Sequence, residues 1–359
     1  MKKVNYMLVL TILFLICNSN TMVSQASVLP NDPYLSEQWG WFDIKADGAY
    51  ASDTHGKGVI VAVLDTGVDT NHPDLKENII EGWNFVDDND NVTDLDGHGT
   101  HVTGIIAAVA NNGVGIAGIA PEVKIMPLKI IEASGGLWGD IDSAILYAKK
   151  NGADIISMSL GGSLSPKFAL PTSTIITLAH YSNITLIAAA GNENTGSQRY
   201  PAAYEYVIAV SAINNDHERA EFSNYGGHVK FSAPGVNIIS TMPTYPCYIT
   251  TEFGVSQNYA SLNGTSMACP FVTGVAALLL SKYPGLTPDM IEDTLAAQAI
   301  DLGEEGWDPE FGYGVPDASK AVTETPIPEF MVMRILILTV ILTLTILNLK
   351  KVKLKPTLD

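Results

Sequence analysis

Residues 58–65 read GVIVAVLD, a short apolar and β-branched run that ends on an aspartate. A run of this length, bounded by Gly58, reads as a strand buried on both faces, as in a parallel sheet. Similar runs follow: VKIMPLKII (123–131), ADIISMSL (153–160), ITLIAAAG (184–191) and YVIAVSAI (206–213). Between them lie helical stretches: HVTGIIAAVAN (101–111), DIDSAILYAKKNG (140–152) and TSTIITLAHYSN (172–183). Strands alternating with helices of about 10–15 residues imply an α/β fold, a parallel sheet flanked by helices on both faces. Sites in such folds lie beyond the carboxyl ends of the strands. Asp65, Ser159 and Asn192 occupy such ends.

The chain has 359 residues and a formal charge of −18. Residues 27–330 hold 37 of the 38 acids and 13 of the 20 bases. A surface this acidic repels polyphosphates, so nucleic acid is not an expected partner. It suits cation binding and solubility. The three cysteines, Cys17, Cys247 and Cys269, form no CxxC pair and write no disulfide framework.

Both ends carry apolar runs. Lys2 and Lys3 precede YMLVLTILFLIC, and Ser24 and Ala26 follow at small-residue spacing. This predicts a secretory signal peptide over 1–26. An uncleaved anchor is the alternative. Near the C-terminus, MVMRILILTVILTLTILNL (331–349) precedes KKVKLK. No polar face appears in it at helical period, so a transmembrane helix is expected. The lysines make 350–359 a basic cytoplasmic tail. The Pro-containing stretch around ETPIPEF makes 323–330 a linker, leaving 27–322 as one domain. ETPIPEF also resembles a short sorting signal of archaeal surface proteins, whose tail is removed.

Four polar residues stand out in that domain. Asp65 lies in VLDTGVD, His98 in DLDGHGTHVTG, Asn192 in AAAGNEN and Ser266 in NGTSMACP, ahead of the apolar run FVTGVAALLLSKYPG. Singly, each has a structural explanation: a strand-end cap, a surface histidine, a turn amide, a helix N-cap. Together they are the parts acyl transfer needs. A serine hydroxyl is a poor nucleophile unless an imidazole takes its proton. The imidazole needs a carboxylate to fix its tautomer. The tetrahedral oxyanion needs preset donors, here the Asn192 amide and the Ser266 N–H, and a helix N-terminus favours the charge.

These segments resemble the subtilisin-like serine proteases, the subtilases, nearest to the subtilisin and thermitase group. The resemblance runs from about Asn31 to Val322 and is carried by VAVLDTGVDTNHPDL, DGHGTHVTGIIAA, GIAGIAP, SMSLGG, AAAGNEN, FSAPG and NGTSMACPFVTGVAALLL. The chain order Asp, His, Ser is that of subtilisin, and no G-x-S-x-G surrounds Ser266. The resemblance implies a subtilisin-like three-layer fold and an exported endopeptidase with Asp65, His98 and Ser266 as triad and Asn192 in the oxyanion hole. It implies that Ser134, Gly135 and Gly136 pair with substrate backbone, opposite Ser159, Leu160 and Gly161. It implies a structural Ca²⁺ held by Asp32, Asp74, Asn112 and the carbonyls of Val114 and Ile116, with no catalytic metal and no organic cofactor. The expected partners are protein or peptide substrates of broad type and the membrane, with the enzyme a monomer.

Departures from the family pattern are expected to matter little to the chemistry. The signal peptide runs almost directly into NDPYLSEQWGW, with no long prosegment between. Phe271 stands where many relatives have His, and Thr103 where many have Ala. Cys269, three residues past Ser266, falls on a neighbouring helix face and is expected to be buried rather than reactive. A retired protease scaffold acting as an adhesin, and an esterase, are the competing readings; the intact Asp, His, Asn and Ser and the peptide-pairing segments disfavour them.

Overall fold

The computed structural model describes residues 29–132, 139–162 and 166–324. The expected signal peptide, the C-terminal apolar run, the basic tail and Ser134, Gly135 and Gly136 lie outside the described residues.

Seven strands form one parallel sheet: β1 (Ile60–Asp65), β2 (Trp83–Asn84), β3 (Lys124–Lys129), β4 (Ile155–Met158), β5 (Thr185–Ala189), β6 (Val207–Ile213) and β7 (Val229–Pro234). Their order is β2-β3-β1-β4-β5-β6-β7. The order reverses at β1, whose neighbours are β3 on one side and β4 on the other. Every residue of β4, β5 and β6 is buried, which is why these strands read as unbroken apolar runs. Two short strands, β8 (Ile238–Thr241) and β9 (Tyr259–Leu262), pair antiparallel outside the main sheet.

The helices, in chain order, are α1 (Trp39–Asp43), α2 (Ala46–Ala51), α3 (His98–Ala107), α4 (Gly139–Lys150), α5 (Pro166–His180), α6 (Tyr248–Glu252), α7 (Thr265–Lys282), α8 (Pro288–Gln298) and α9 (Ala318–Thr323). One apolar cluster packs α3 and α7 against one sheet face, with Val61, Ile125, Ile187 and Val210 pointing inward. A second packs Ile141, Ile145 and Ile176 against Leu64, Leu128 and Leu186 on the other. Full burial of each such side chain contributes about 1.5–3 kcal/mol. The three-layer arrangement is therefore as expected.

Helix α7 is long and apolar enough to cross a membrane, yet 78% of it is buried in the protein. It is the core helix, apolar all round because it is covered all round. Helix α3 begins three residues earlier than its apolar pattern suggests, so His98 is its first residue rather than its approach.

Candidate active site

The carboxyl ends of β1, β4 and β5, three adjacent strands, converge on the N-termini of α3 and α7. Asp65 is the last residue of β1 and is only 1% exposed. Its Oδ1 accepts from His98 Nδ1 at 2.7 Å and from Thr66 N at 2.8 Å. That bond places the His98 proton on Nδ1 and leaves Nε2 as the basic nitrogen. The approach is tight. A Cβ on Gly99 would lie 2.1 Å from the Gly67 carbonyl and 3.2 Å from Asp65 Cβ. Only glycine lets the first turn of α3 come this close to the end of β1.

A buried clamp fixes this junction. Asp94 Oδ1 accepts from Thr66 Oγ1, Asp96 N and Gly97 N, and Oδ2 accepts from Thr100 N and Thr100 Oγ1. Thr66 Oγ1 in turn accepts from Gly99 N. Five donors replace water around a carboxylate that is fully buried, and burial still pushes its pKa up. The clamp ties the strand carrying Asp65 to the helix carrying His98.

Ser266 is the second residue of α7. Its Oγ donates to the Ser159 carbonyl at 3.0 Å, and Ser159 Oγ donates to the Ser266 carbonyl at 2.9 Å. The second bond is possible because residue 270 is proline. With no N–H there, the Ser266 carbonyl lacks its helical donor. Among the described residues no hydrogen bond joins Ser266 Oγ to His98. The hydroxyl is bonded instead to the carbonyl that follows the end of β4.

Two N–H groups lie close together beside Gly264. Thr265 N donates to Asn192 Oδ1 at 2.8 Å and Met267 N to the Gly264 carbonyl at 3.0 Å, while Ser266 N between them donates to no acceptor among the described residues. Asn192 Oδ1 also accepts from Thr265 Oγ1 at 3.0 Å. With Oδ1 doubly bonded, Nδ2 is the end of the amide left to face outward. A Cβ on Gly264 would lie 3.6 Å from both Asn192 Nδ2 and Ser266 N. The loop behind Asn192 is held by Asn224, whose Oδ1 accepts from Glu193 N and Thr195 N and whose Nδ2 donates to the Ala190 carbonyl.

Burial lowers the His98 pKa, but the charge and hydrogen bond of Asp65, joined by Asp96 and Asp94, outweigh it and push it up to about 9. His101, one turn along α3, is fully buried, and its pKa falls to about 3.

Ser159 is buried beside Ser266, and Leu160 and Gly161 continue from it toward the surface. Cys269 faces away from the site. It is fully buried with Sγ 3.8 Å from Ser157 Oγ, and burial pushes its thiol up to about 11. Cys247 is the cysteine near His98: a Cβ on Gly97 would lie 2.8 Å from its Sγ. Phe271 packs against Gly40 of α1, away from Ser266. Thr103 is buried inside α3.

The expected metal ligands gather some distance away. Asp32 accepts from Asn111 N and Asn112 N, and Asp74 Oδ1 accepts from Asn112 Nδ2 at 2.8 Å. Asp74 Oδ2 accepts from Ile116 N and the Tyr259 hydroxyl. Burial pushes Asp74 up to about 6, with Asp32 adding to the rise. Among the described residues neither the Val114 nor the Ile116 carbonyl accepts a hydrogen bond. The two carboxylates and two carbonyls are hard oxygen donors of the kind that suit Ca²⁺, while Asn112 turns its Nδ2 to Asp74 and accepts from Val114 N on Oδ1 at 2.7 Å. No group of three or more His, Cys, Asp or Glu side chains suited to a metal occurs among the described residues.

Residues 56–314 match the Subtilase family of peptidases. The chain is 42% identical over 276 residues to subtilisin DY of Bacillus licheniformis, covering 76% of this chain and 92% of that one. It is 41% identical over 255 residues to thermitase of Thermoactinomyces vulgaris, covering 70% and 86%. A solved structure of proteases from Pseudoalteromonas arctica PAMC 21717 superposes with a TM-score of 0.73 at 32% identity, covering 82% of this chain and 98% of that one.

Proposed function

We propose, since the chain belongs to the subtilase family and is a serine endopeptidase, that it cuts peptide bonds with Asp65, His98 and Ser266 as its triad. The observation that carries this reading is that Asn192 Nδ2 and Ser266 N lie within 3.6 Å of one point beside Gly264 and donate to no acceptor among the described residues. Such a pair matches the two-fold need of an oxyanion.

In this reading the Ser266 hydroxyl leaves the Ser159 carbonyl by rotating about χ1 and gives its proton to His98 Nε2. Oγ attacks the scissile carbonyl carbon. The oxyanion takes up the two N–H bonds, and Asp65 stabilises the imidazolium without taking its proton. His98 then protonates the leaving amine, the C–N bond breaks, and an acyl-enzyme forms on Ser266. Water repeats the sequence and frees the serine. The acyl side of the substrate runs along Ser159, Leu160 and Gly161, facing Ser134, Gly135 and Gly136. Glycines in both segments, with no side chain in the way of a substrate backbone, support broad specificity. Export follows from residues 1–26 and anchoring at the cell surface from 331–349. A fluorophosphonate probe tests the reading: it labels the wild type, and labelling of Ser266→Ala to the same extent rules Ser266 out as nucleophile.

The base must be neutral to accept a proton. With its pKa raised to about 9, His98 is charged at neutral pH and activity rests on the deprotonated fraction. Log kcat/KM is expected to climb with a slope near 1 until pH approaches about 9. Removing a neighbouring charge with Asp96→Asn shifts that limb to lower pH. A limb that does not move between the two proteins contradicts the assignment. The sign for stability is opposite: the imidazolium–carboxylate pair contributes below the unfolded pKa near 6.5, and this is lost as pH rises through about 9.

Asp32, Asp74, Asn112, Val114 and Ile116 are proposed to hold a structural Ca²⁺, which joins the N-terminal segment to the start of the loop after α3. A ligand bound only by the folded state stabilises by mass action, about 3–4 kcal/mol at 100–1,000 times Kd. Chelation is therefore expected to lower Tm by roughly 5–15 °C. Asp74→Asn should melt low with or without calcium; a full calcium response in that variant sinks the assignment.

A further inference from the structure

Strands β8 and β9 pair antiparallel, yet 17 residues separate Thr241 from Tyr259. Met242 N donates to the Asn258 carbonyl and Asn258 N to the Pro243 carbonyl, which closes the neck of the connection. The rest, residues 244–257, is an excursion that a hairpin does not need. It is built onto the loop before His98. Thr244 N and Oγ1 donate to Asp69 Oδ2 at 2.9 and 2.7 Å. Tyr248 N donates to the Leu95 carbonyl and Ile249 N to the Asp96 carbonyl, each at 2.9 Å. The buried Cys247 fills the space against Gly97.

With these anchors made, the excursion holds large apolar side chains out in water. Phe253 is 69% exposed and Tyr248 43%, and Leu95 beside them is 54% exposed. The two rings stand edge to face, 6.2 Å between centroids. Anchoring explains Cys247 and the backbone bonds; it does not explain an exposed aromatic pair next to Leu95. Leu95 lies three residues before His98.

We infer that Leu95, Tyr248 and Phe253 form an apolar wall that receives a large apolar side chain from the leaving-group part of the substrate. This rests on the proposed triad. His98 must deliver its proton to the leaving amine, so the residues that follow the scissile bond pass along its flank. The wall is continuous with the loop that carries His98, through the bonds of Tyr248 N and Ile249 N to the Leu95 and Asp96 carbonyls. A partly exposed wall discriminates one large apolar side chain from none by about tenfold, the low end of what a hydrophobic pocket achieves.

The test separates the wall from the triad. An ester substrate acylates Ser266, and leucinamide and glycinamide compete with water for the acyl-enzyme. The wild type is expected to favour leucinamide about tenfold in aminolysis. The double variant Tyr248→Ser/Phe253→Ser should drop to about twofold, and Trp307→Ser, an exposed residue elsewhere, should keep the wild-type ratio. Fluorophosphonate titration reports the folded, reactive fraction of each protein. An unchanged leucinamide preference in a fully titratable double variant overturns the wall, as does a wild type with no preference. A wild type that the ester does not acylate overturns the triad itself, and the wall with it.

Discussion

Replacing Ser266 with alanine is expected to lower kcat by about 10⁶-fold; the size is that seen in subtilisin, a member of this family. The reason lies in how the site divides its labour. In the proposed mechanism Ser266 Oγ supplies the new covalent bond and His98 moves its proton, with Asp65 fixing the imidazole through the 2.7 Å bond. Removing the nucleophile leaves the other two with nothing to act on. The double variant Ser266→Ala/His98→Ala should therefore be about as slow as the single, not the product of two losses. What survives, about 10³–10⁴ over water, is assigned to the donors at Asn192 and Ser266 N and to substrate binding. Steady-state kinetics on a peptide anilide, with enzyme counted by its folded fraction, decides the point. A loss of only tenfold, or losses that multiply, rules out one shared reaction coordinate.

The sheet was legible where burial coincides with an unbroken apolar run; β7, VKFSAP, is as buried but its lysine and serine hide it. β1, β3, β4, β5 and β6 are buried nearly throughout, and a strand hidden on both faces has to be apolar along its length. β2 has two residues, and β8 and β9 read IIST and YASL, so no periodicity marks them. The start of α3 was obscured for a different reason. GHG reads as a turn, and only the contact of Gly99 with Gly67 shows that these glycines permit close packing of a helix. Asp65, His98, Asn192 and Ser266 stand out in the sequence because each sits in a long motif, and the structure brings the strand and helix ends that carry them to one side of the sheet.

Asp94 was missed. In an acid-rich loop it looks like one more solvated charge, and its role appears only when Thr66 and Thr100, 28 and 6 residues away, bring their hydroxyls to it. The one local clue is its position four residues before His98, where an aspartate can bond to the N–H groups of a helix start. The excursion at 244–257 is invisible for the same reason: its meaning lies in bonds to Leu95 and Asp96, about 150 residues earlier. Cys269 reads from its spacing as a buried residue on a neighbouring helix face, and it is fully buried. One turn of α7 carries the thiol round to Ser157 in the core.

Asn192 allows the second large effect to be argued from atoms. Asn192→Ala removes one of two oxyanion donors, and kcat should fall by about 10²–10³, the range known for the matching donor in subtilisin. Asn192→Asp is the sharper variant. Its carboxylate keeps an oxygen for Thr265 N and Thr265 Oγ1, so the loop has no reason to move. The other oxygen stands where Nδ2 stood and aims a negative charge at the space in which the oxyanion forms. The alanine variant lacks an attraction; the aspartate variant adds a repulsion, and it should be the slower of the two at high pH. As pH falls and the carboxyl protonates, its O–H becomes a donor and the deficit relative to alanine should shrink. KM should change little in either, since the ground-state carbonyl gains much less from these donors than the oxyanion does. Comparing kcat for both variants across pH, with equal Tm as a check on folding, measures this directly. An aspartate variant faster than alanine at high pH would mean that Nδ2 does not face the reacting oxygen.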